Sequence, residues 1–211
     1  PLKNNKIKLI GQAIDTDVFI FNLKSKHKNQ IHKLVHIGRL DESKKITEII
    51  SFVNQTSSGD NDISIDFYGR LNESFYSERL KDQFSAKSSK VKYCGSIERK
   101  QIPELLKDYD CFLHFFEGSL DKSILEATSC GLPVITTNKE YLNDFGTWSG
   151  KMNDDIPSFV KDEFNALNSL PDEQFQAELL RRRTLIEKKH SLRNWINQLI
   201  EIFSKLNDVG I

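Results

Sequence analysis

Two stretches carry side chains whose types and spacing suit work on a charged, hydroxyl-bearing ligand. In HIGRLDESKK (36–45), Arg39 follows an apolar run, and Lys44 and Lys45 fall in the first turns of the next expected helix. Cations at a helix start oppose the macrodipole, so helix stability does not explain them. An anion between Arg39, Lys44 and the helix N-terminus does. A diphosphate suits a planar guanidinium beside a point-charge ammonium, and a solvated loop balanced by Asp41 and Glu42 is the plainer alternative. In FFEGSLDKSILEATSCGLPVITTN (115–138), Glu126 falls one turn into a helix starting near Asp121, on a small polar face with Lys122, Ser123, Ser129 and Cys130. A carboxylate there can accept hydrogen bonds from a vicinal diol such as a ribose, and Glu117, at a strand end, can meet sugar hydroxyls. The plainer alternatives are an i−4 pair with Lys122 and a loop charge. His114, inside an apolar strand, reads as a packed histidine close to the same rim.

The elements that must position these groups alternate. KLVHIG (33–38), ISIDFYG (63–69), VKYCG (91–95), CFLHFF (111–116) and PVITT (133–137) read as strands, each followed by helix-compatible text. Ile46, Ile49, Ile50 and Val53 repeat at helical spacing, as do Phe75, Leu80 and Phe84. Pro103 fits a first helical turn, and Gly131 suits a helix stop. GTWSG (146–150) is expected to be a short sixth strand, after which the chain turns helical, with a break near His190–Ser191 where Ser191 can cap the last helix. The pattern predicts an α/β, Rossmann-like fold: a mostly parallel sheet of about six strands with helices on both faces and a long helical C-terminal extension. Ligands of such sheets sit at the carboxyl ends of strands. Three strands end in Gly38, Gly69 and Gly95, which suggests a shared rim where backbone comes close to a ligand.

Bulk properties narrow the classes. The 211 residues carry 30 basic and 30 acidic side chains, which argues against a dedicated nucleic-acid binder. No apolar run reaches the roughly 20 residues that span a bilayer. Cys94, Cys111 and Cys130 lie apart in apolar surroundings and read as reduced core thiols. Asp15-Thr-Asp17 and Asp60-Asn-Asp62 resemble metal-holding triplets, but neither lies at a strand end, and no metal is expected. Arg181–Arg183, Lys188 and Lys189 form a basic cluster on the helical tail, suited to a solvated face or a membrane surface. The opening PLKNNKIKLIG reads as mid-protein text, so a preceding segment is expected.

GQAIDTDVF, HIGRLDESKKITEIISFV, IDFYGR, the run from VKYCGSIERK to LPVITTN, and HSLRNW occur in that order. Together they resemble the C-terminal, donor-binding half of group-one retaining glycosyltransferases of the two-Rossmann-domain GT-B architecture, over most of residues 11–150. The resemblance implies a linker at 1–30 from an N-terminal acceptor-binding domain, a nucleotide-sugar-binding domain at 31–170, and C-terminal helices at 171–211. It assigns Arg39 and Lys44 to the donor diphosphate, Glu126 to the ribose, and Glu117 to the transferred sugar. The family's paired acids are separated by seven residues, whereas eight separate Glu117 from Glu126, so Asp121 is a rival first acid. The turn Gly118, Ser119, Leu120, Asp121 and Lys122 would present N–H groups to phosphate, with Gly38 on the same rim. Ser96 and Ile97 would border the base, and Lys45 stands where many members have glycine. GSLDKSILEA looks like a bacterial variant. The implied enzyme is a metal-independent hexosyltransferase without a cofactor, inactive as this half alone, acting in surface polysaccharide or glycoconjugate synthesis. It would be cytoplasmic, at or near the inner leaflet, with lipid-linked acceptors in view. A non-catalytic nucleotide-sugar-binding or scaffold module of the same fold is the rival reading.

Overall fold

The computed structural model describes residues 10–23, 31–56, 63–72, 74–85 and 90–208. Five strands, β1 (Lys33–Ile37), β2 (Ser64–Tyr68), β3 (Val91–Tyr93), β4 (Cys111–His114) and β5 (Val134–Thr136), form one parallel sheet in the order β3-β2-β1-β4-β5. After Lys33 every residue of β1 is buried, as is every residue of β4 and β5. Their continuous apolar text is what a strand covered on both faces requires, whereas β2 alternates.

Helices α1 (Ile46–Thr56) and α2 (Phe75–Ser85) connect the first three strands, and α3 (Ile102–Leu105) and α4 (Lys122–Ser129) follow β3 and β4. Because strand order reverses at β1, right-handed crossovers put α1 and α2 on one face and α3 and α4 on the other. The remaining helices are α5 (Lys139–Phe145), α6 (Ile156–Ser169), α7 (Asp172–Leu185) and α8 (Leu192–Asp208). Phe164 of α6 meets Phe52 of α1 edge-on, and α7 packs on α4, so both faces are covered.

The sixth strand expected at 146–150 does not form. Gly146 and Gly150 both have left-handed φ, at 78° and 71°. The backbone N–H groups of Trp148 and Ser149 donate to the Glu163 carboxylate, each at 2.8 Å. The Trp148 indole N–H takes the Val134 carbonyl at 2.8 Å, the acceptor that a further strand would use. A side chain thus closes the sheet edge.

The tail breaks where the sequence indicates. α7 runs into a π turn, Ile186–His190, and Ser191 Oγ accepts from Asn194 N at 3.2 Å. Ile14 bridges there, donating to His190 O and accepting from Leu192 N, both at 2.8 Å. The arginine run is not a basic face. Arg182 is buried against Glu178 and the Trp148 ring. Arg183 Nη1 donates to Phe19 O (2.8 Å) and Ser129 O (3.1 Å), and Arg181 binds Glu178. Long-range contacts, invisible in a helical repeat, tie the arginines of the expected cluster inward, while Lys188 and Lys189 remain exposed. Among the described residues no helix is long and apolar enough to cross a membrane.

Candidate functional site

Strand order reverses between β1 and β4, and the crevice outside their carboxyl ends is where such sheets take ligands. The rim is built from the three glycines. Gly38 N donates to Tyr68 O at 3.0 Å and Gly69 N to Gly95 O at 2.8 Å. A Cβ on Gly69 would lie 1.6 Å from the Gly38 carbonyl oxygen, so only glycine lets these strand tips touch.

Lys44 and Lys45 do not sit in the first turns of α1 as expected. Lys44 ends a 3-10 turn (Glu42–Lys44), and Lys45 is left-handed at φ 51°, the one non-glycine residue of positive φ among those described. A glycine would adopt that angle without strain. The kink turns the two lysines to different partners. Lys44 points inward, buried, with Nζ 2.6 Å from Asp121 Oδ2 and 3.5 Å from the Phe116 ring centroid. Lys45 Nζ lies 2.9 Å from Glu117 Oε1 near the surface.

Asp121 is the N-cap of α4, its Oδ1 accepting from Ser123 N at 3.4 Å. Oδ2 faces both Lys44 and His114 Nε2, the latter at 3.3 Å. The ionised Asp121 can only accept, so His114 Nε2 donates to it, and His114 Nδ1 then accepts from the Thr136 hydroxyl at 3.0 Å. That leaves the His114 proton on Nε2, toward Asp121. Burial holds His114 neutral, its pKa below the ordinary histidine value despite Asp121. Burial pushes the Asp121 carboxyl up, but hydrogen bonds from His114 and Lys44 outweigh it and hold the group well below the usual carboxylate range. Next to His114 stands His36, lowered to about 3 by burial and then by His114. Its Nδ1 donates to Leu113 O at 2.9 Å.

Glu126 is buried on α4 and does not pair with Lys122, which is exposed. Its Oε1 accepts from Arg99 Nη2 at 2.8 Å. Burial raises the Glu126 carboxyl, with Arg99 pulling the other way. Arg39 stands apart from Lys44: it is exposed, 3.5 Å from Asp41. Glu117 is likewise exposed, while Asp121 is drawn into the crevice.

The turn between β4 and α4 is held by Asn138, whose Nδ2 donates to the carbonyls of Phe116 (3.2 Å), Gly118 (2.9 Å) and Ser119 (3.3 Å). A Cβ on Gly118 would lie 2.2 Å from the Phe116 ring. Leu120 differs from its expected place: its side chain is buried and its N–H donates to Glu140 Oε2 at 3.1 Å, so a phosphate does not have that donor. Ser96 is exposed and Ile97 half-buried in the loop after β3.

Among the described residues, three buried side-chain atoms lack a partner: His36 Nε2, Ser123 Oγ and Thr137 Oγ1. They come from β1, the first turn of α4 and the end of β5, at the carboxyl ends of the strands. Buried polar atoms rarely go unpaired in a finished core, so the packing beneath this end of the sheet is less complete in hydrogen bonds than the rest of the described core. A cleft of about 700 Å³ lies elsewhere, between α1 and α6, and none of Lys44, His114, Asp121 or Glu126 lines it. Asp15 Oδ1 accepts from Asp17 N as a turn, Asp60–Asp62 fall outside the described residues, and among the described residues no group of three candidate ligands could hold a metal.

The sequence profile of the family described as Glycosyl transferases group 1 matches residues 31–147, from the start of β1 to the loop beyond α5. The chain belongs to that family. Solved structures share its fold. HepE of Anabaena, solved with UDP and glucose, superimposes with a TM-score of 0.72 at 20% identity over 94% of this chain and 57% of its own. Sucrose-phosphate synthase from Thermosynechococcus elongatus gives 0.75 at 12%, over 96% and 53%. TarM of S. aureus gives 0.66 at 18%, over 87% and 38%. This chain therefore spans about two-fifths to three-fifths of the length of those proteins. No curated protein sequence matches it.

Residue-by-residue reading missed Arg99 and Asn138. Asn138 had a signal, an N-cap residue before KEYLNDF. Arg99 had none, since its partner Glu126 is 27 positions away.

Proposed function

We propose that this chain is the donor-binding half of a retaining glycosyltransferase, which takes a nucleotide-activated sugar and passes the sugar to an acceptor held by another part of the protein. The observation that carries the reading is Lys44: a buried ammonium at the β1/β4 switch point, set against the N-terminus of α4. A diphosphate seated there meets a point charge and the partial positive charge of the helix end. As the leaving group gathers negative charge these groups stabilise it without reorganising, the largest usual source of rate. Glu126, one turn deeper, is the ribose acceptor. Of the two candidate first acids, Asp121 is the one in the crevice, and it serves by holding Lys44. Arg39 reaches the diphosphate only by leaving Asp41, a surface pair of about 0–1 kcal/mol. Family membership and the UDP-bound state of structural neighbours support the donor class. Surface polysaccharide or glycoconjugate synthesis in a bacterial cytoplasm, with an acceptor at the inner leaflet, is the setting proposed.

Titration calorimetry with UDP, GDP and ADP, followed by NMR of the anomeric proton of any transferred sugar, tests this. Binding of one nucleotide, and transfer with retention by the protein carrying both halves, are the expected results. Binding without transfer favours the non-catalytic module, to which the surface-turned Glu117 lends support. No binding of any nucleotide sinks both.

A further inference from the structure

Arg99 connects three parts of the crevice that the chain keeps far apart. It opens a 3-10 turn, Arg99–Gln101, two residues after Ile97. That turn is anchored by Glu98 N donating to Gln101 Oε1 at 3.3 Å. The guanidinium lies 5.6 Å from the ring centroid of Phe19, itself buried and fixed to the end of α4 through Ser129 Oγ, which donates to Phe19 O at 2.6 Å. Arg99 Nη2 then donates to Glu126 Oε1 at 2.8 Å. Among the described residues Glu126 Oε2 has no hydrogen-bond partner and is not sealed in the core, so one lobe of the carboxylate is left open to a ligand.

This arrangement solves a problem that Glu126 poses. A buried carboxyl prefers its proton, and a proton on the free oxygen turns that atom into a donor and weakens it as an acceptor for a diol. The charged groups acting on it are Arg99, Lys122 and Asp121; Asp121 opposes ionisation, and Lys122 acts from solvent without a bond. Arg99 alone is in contact.

We propose that Arg99 is a positioning residue for nucleoside recognition: it keeps Glu126 ionised and aimed, so that the free oxygen reads the ribose diol, and it couples that reading to the loop that borders the base. The inference rests on the donor-site reading above and deepens it, making ribose selectivity depend on a residue that need not touch the ribose.

The test compares binding of UDP and 2′,3′-dideoxy-UDP to the protein, from about pH 5 to about pH 8, in wild type, Arg99→Ala, Arg99→Lys and Glu126→Gln. Wild type is expected to prefer UDP by roughly tenfold or more, the scale of one charge-assisted hydrogen bond. Arg99→Ala should cut that preference several-fold, and its remaining preference should vanish at a higher pH than in wild type, as Glu126 gains its proton earlier. Arg99→Lys should restore most of the preference at neutral pH, and Glu126→Gln should lose it at every pH. Equal weakening of both nucleotides in Arg99→Ala, with no change in pH profile, would make Arg99 a loop anchor only and overturn the proposal. Tighter UDP binding in Arg99→Ala would show the arginine to be an obstruction and overturn it equally. Wild type binding both nucleotides equally defeats the proposal while leaving the donor site standing, whereas binding neither removes the donor site and the proposal together.

Discussion

Two of the places where charge is buried among the described residues are wired differently. Under α7, Arg182 is enclosed by Glu178 at 2.8 Å, the Gly146 carbonyl at 3.2 Å, the Tyr141 hydroxyl at 3.4 Å and the Trp148 ring at 4.0 Å. Its neighbour Arg183 binds three backbone carbonyls. At the β1/β4 crevice, Lys44 has one carboxylate and one ring, Glu126 has one arginine, and all three partnerless buried atoms among the described residues cluster on the same rim. Saturated charge fixes the tail to the domain. Unsaturated charge is what a binding site retains until its ligand arrives.

The sharpest way to break this contrast is Arg182→Ala. It empties the space between Trp148, Tyr141 and Gly146, with Glu178 left to Arg181, and should cost about 2–5 kcal/mol in urea denaturation, the scale of a large-to-small core change, while residual folded protein keeps its nucleotide affinity. Lys44→Met should do the opposite. It removes the ammonium from Asp121 and from the face of the Phe116 ring, and should weaken UDP binding roughly 10- to 100-fold, as loss of a charge-assisted contact worth about 1.5–3 kcal/mol requires. If Arg182→Ala lowers affinity as much as Lys44→Met, the division between the regions fails.

Acid titration sharpens it further. His36 and His114 are held neutral when folded, so below about pH 6.5 the unfolded chain binds more protons and stability falls as pH drops. Asp121, depressed when folded, stabilises above its unfolded value of about 3.9 and loses that contribution as pH falls further, through its folded pKa. Stability-versus-pH curves should therefore show two descending limbs, and Asp121→Asn should flatten the lower one and, by removing the acid that raises His114, steepen the upper one. The smallest effect expected is Lys45→Gly. Relief of the left-handed backbone is offset by a more flexible unfolded chain and loss of a surface pair, leaving stability within about 1 kcal/mol of wild type. A larger drop would mean that the Glu117 contact belongs with the saturated kind.

Much of this was legible in the chain itself. The five strands, the α4 start at Asp121 and the break at Ser191 follow from local signals: apolar runs, caps and stops. Local text also misled. GTWSG carries no sign that Glu163 will claim its backbone donors, and a basic triplet on a helix looks solvated until the aromatic wall around Arg182 is seen. The crevice was readable in residue type but not in pairing. Lys44 with Asp121 is a contact across 77 positions, and Arg39, close by in sequence, does not share it. Spacing places a residue on a rim; only packing decides which of two neighbouring cations turns inward.

The kink at Lys45 has one more effect. By sending two successive lysines to two different acids, it stitches the loop after β1 to the turn after β4 twice, once in solvent and once beneath it. The outer stitch opens at little cost, and the inner one resists, being shielded from water. The two segments are therefore held side by side by ties of unequal strength, and loss of the outer one alone leaves the seam closed.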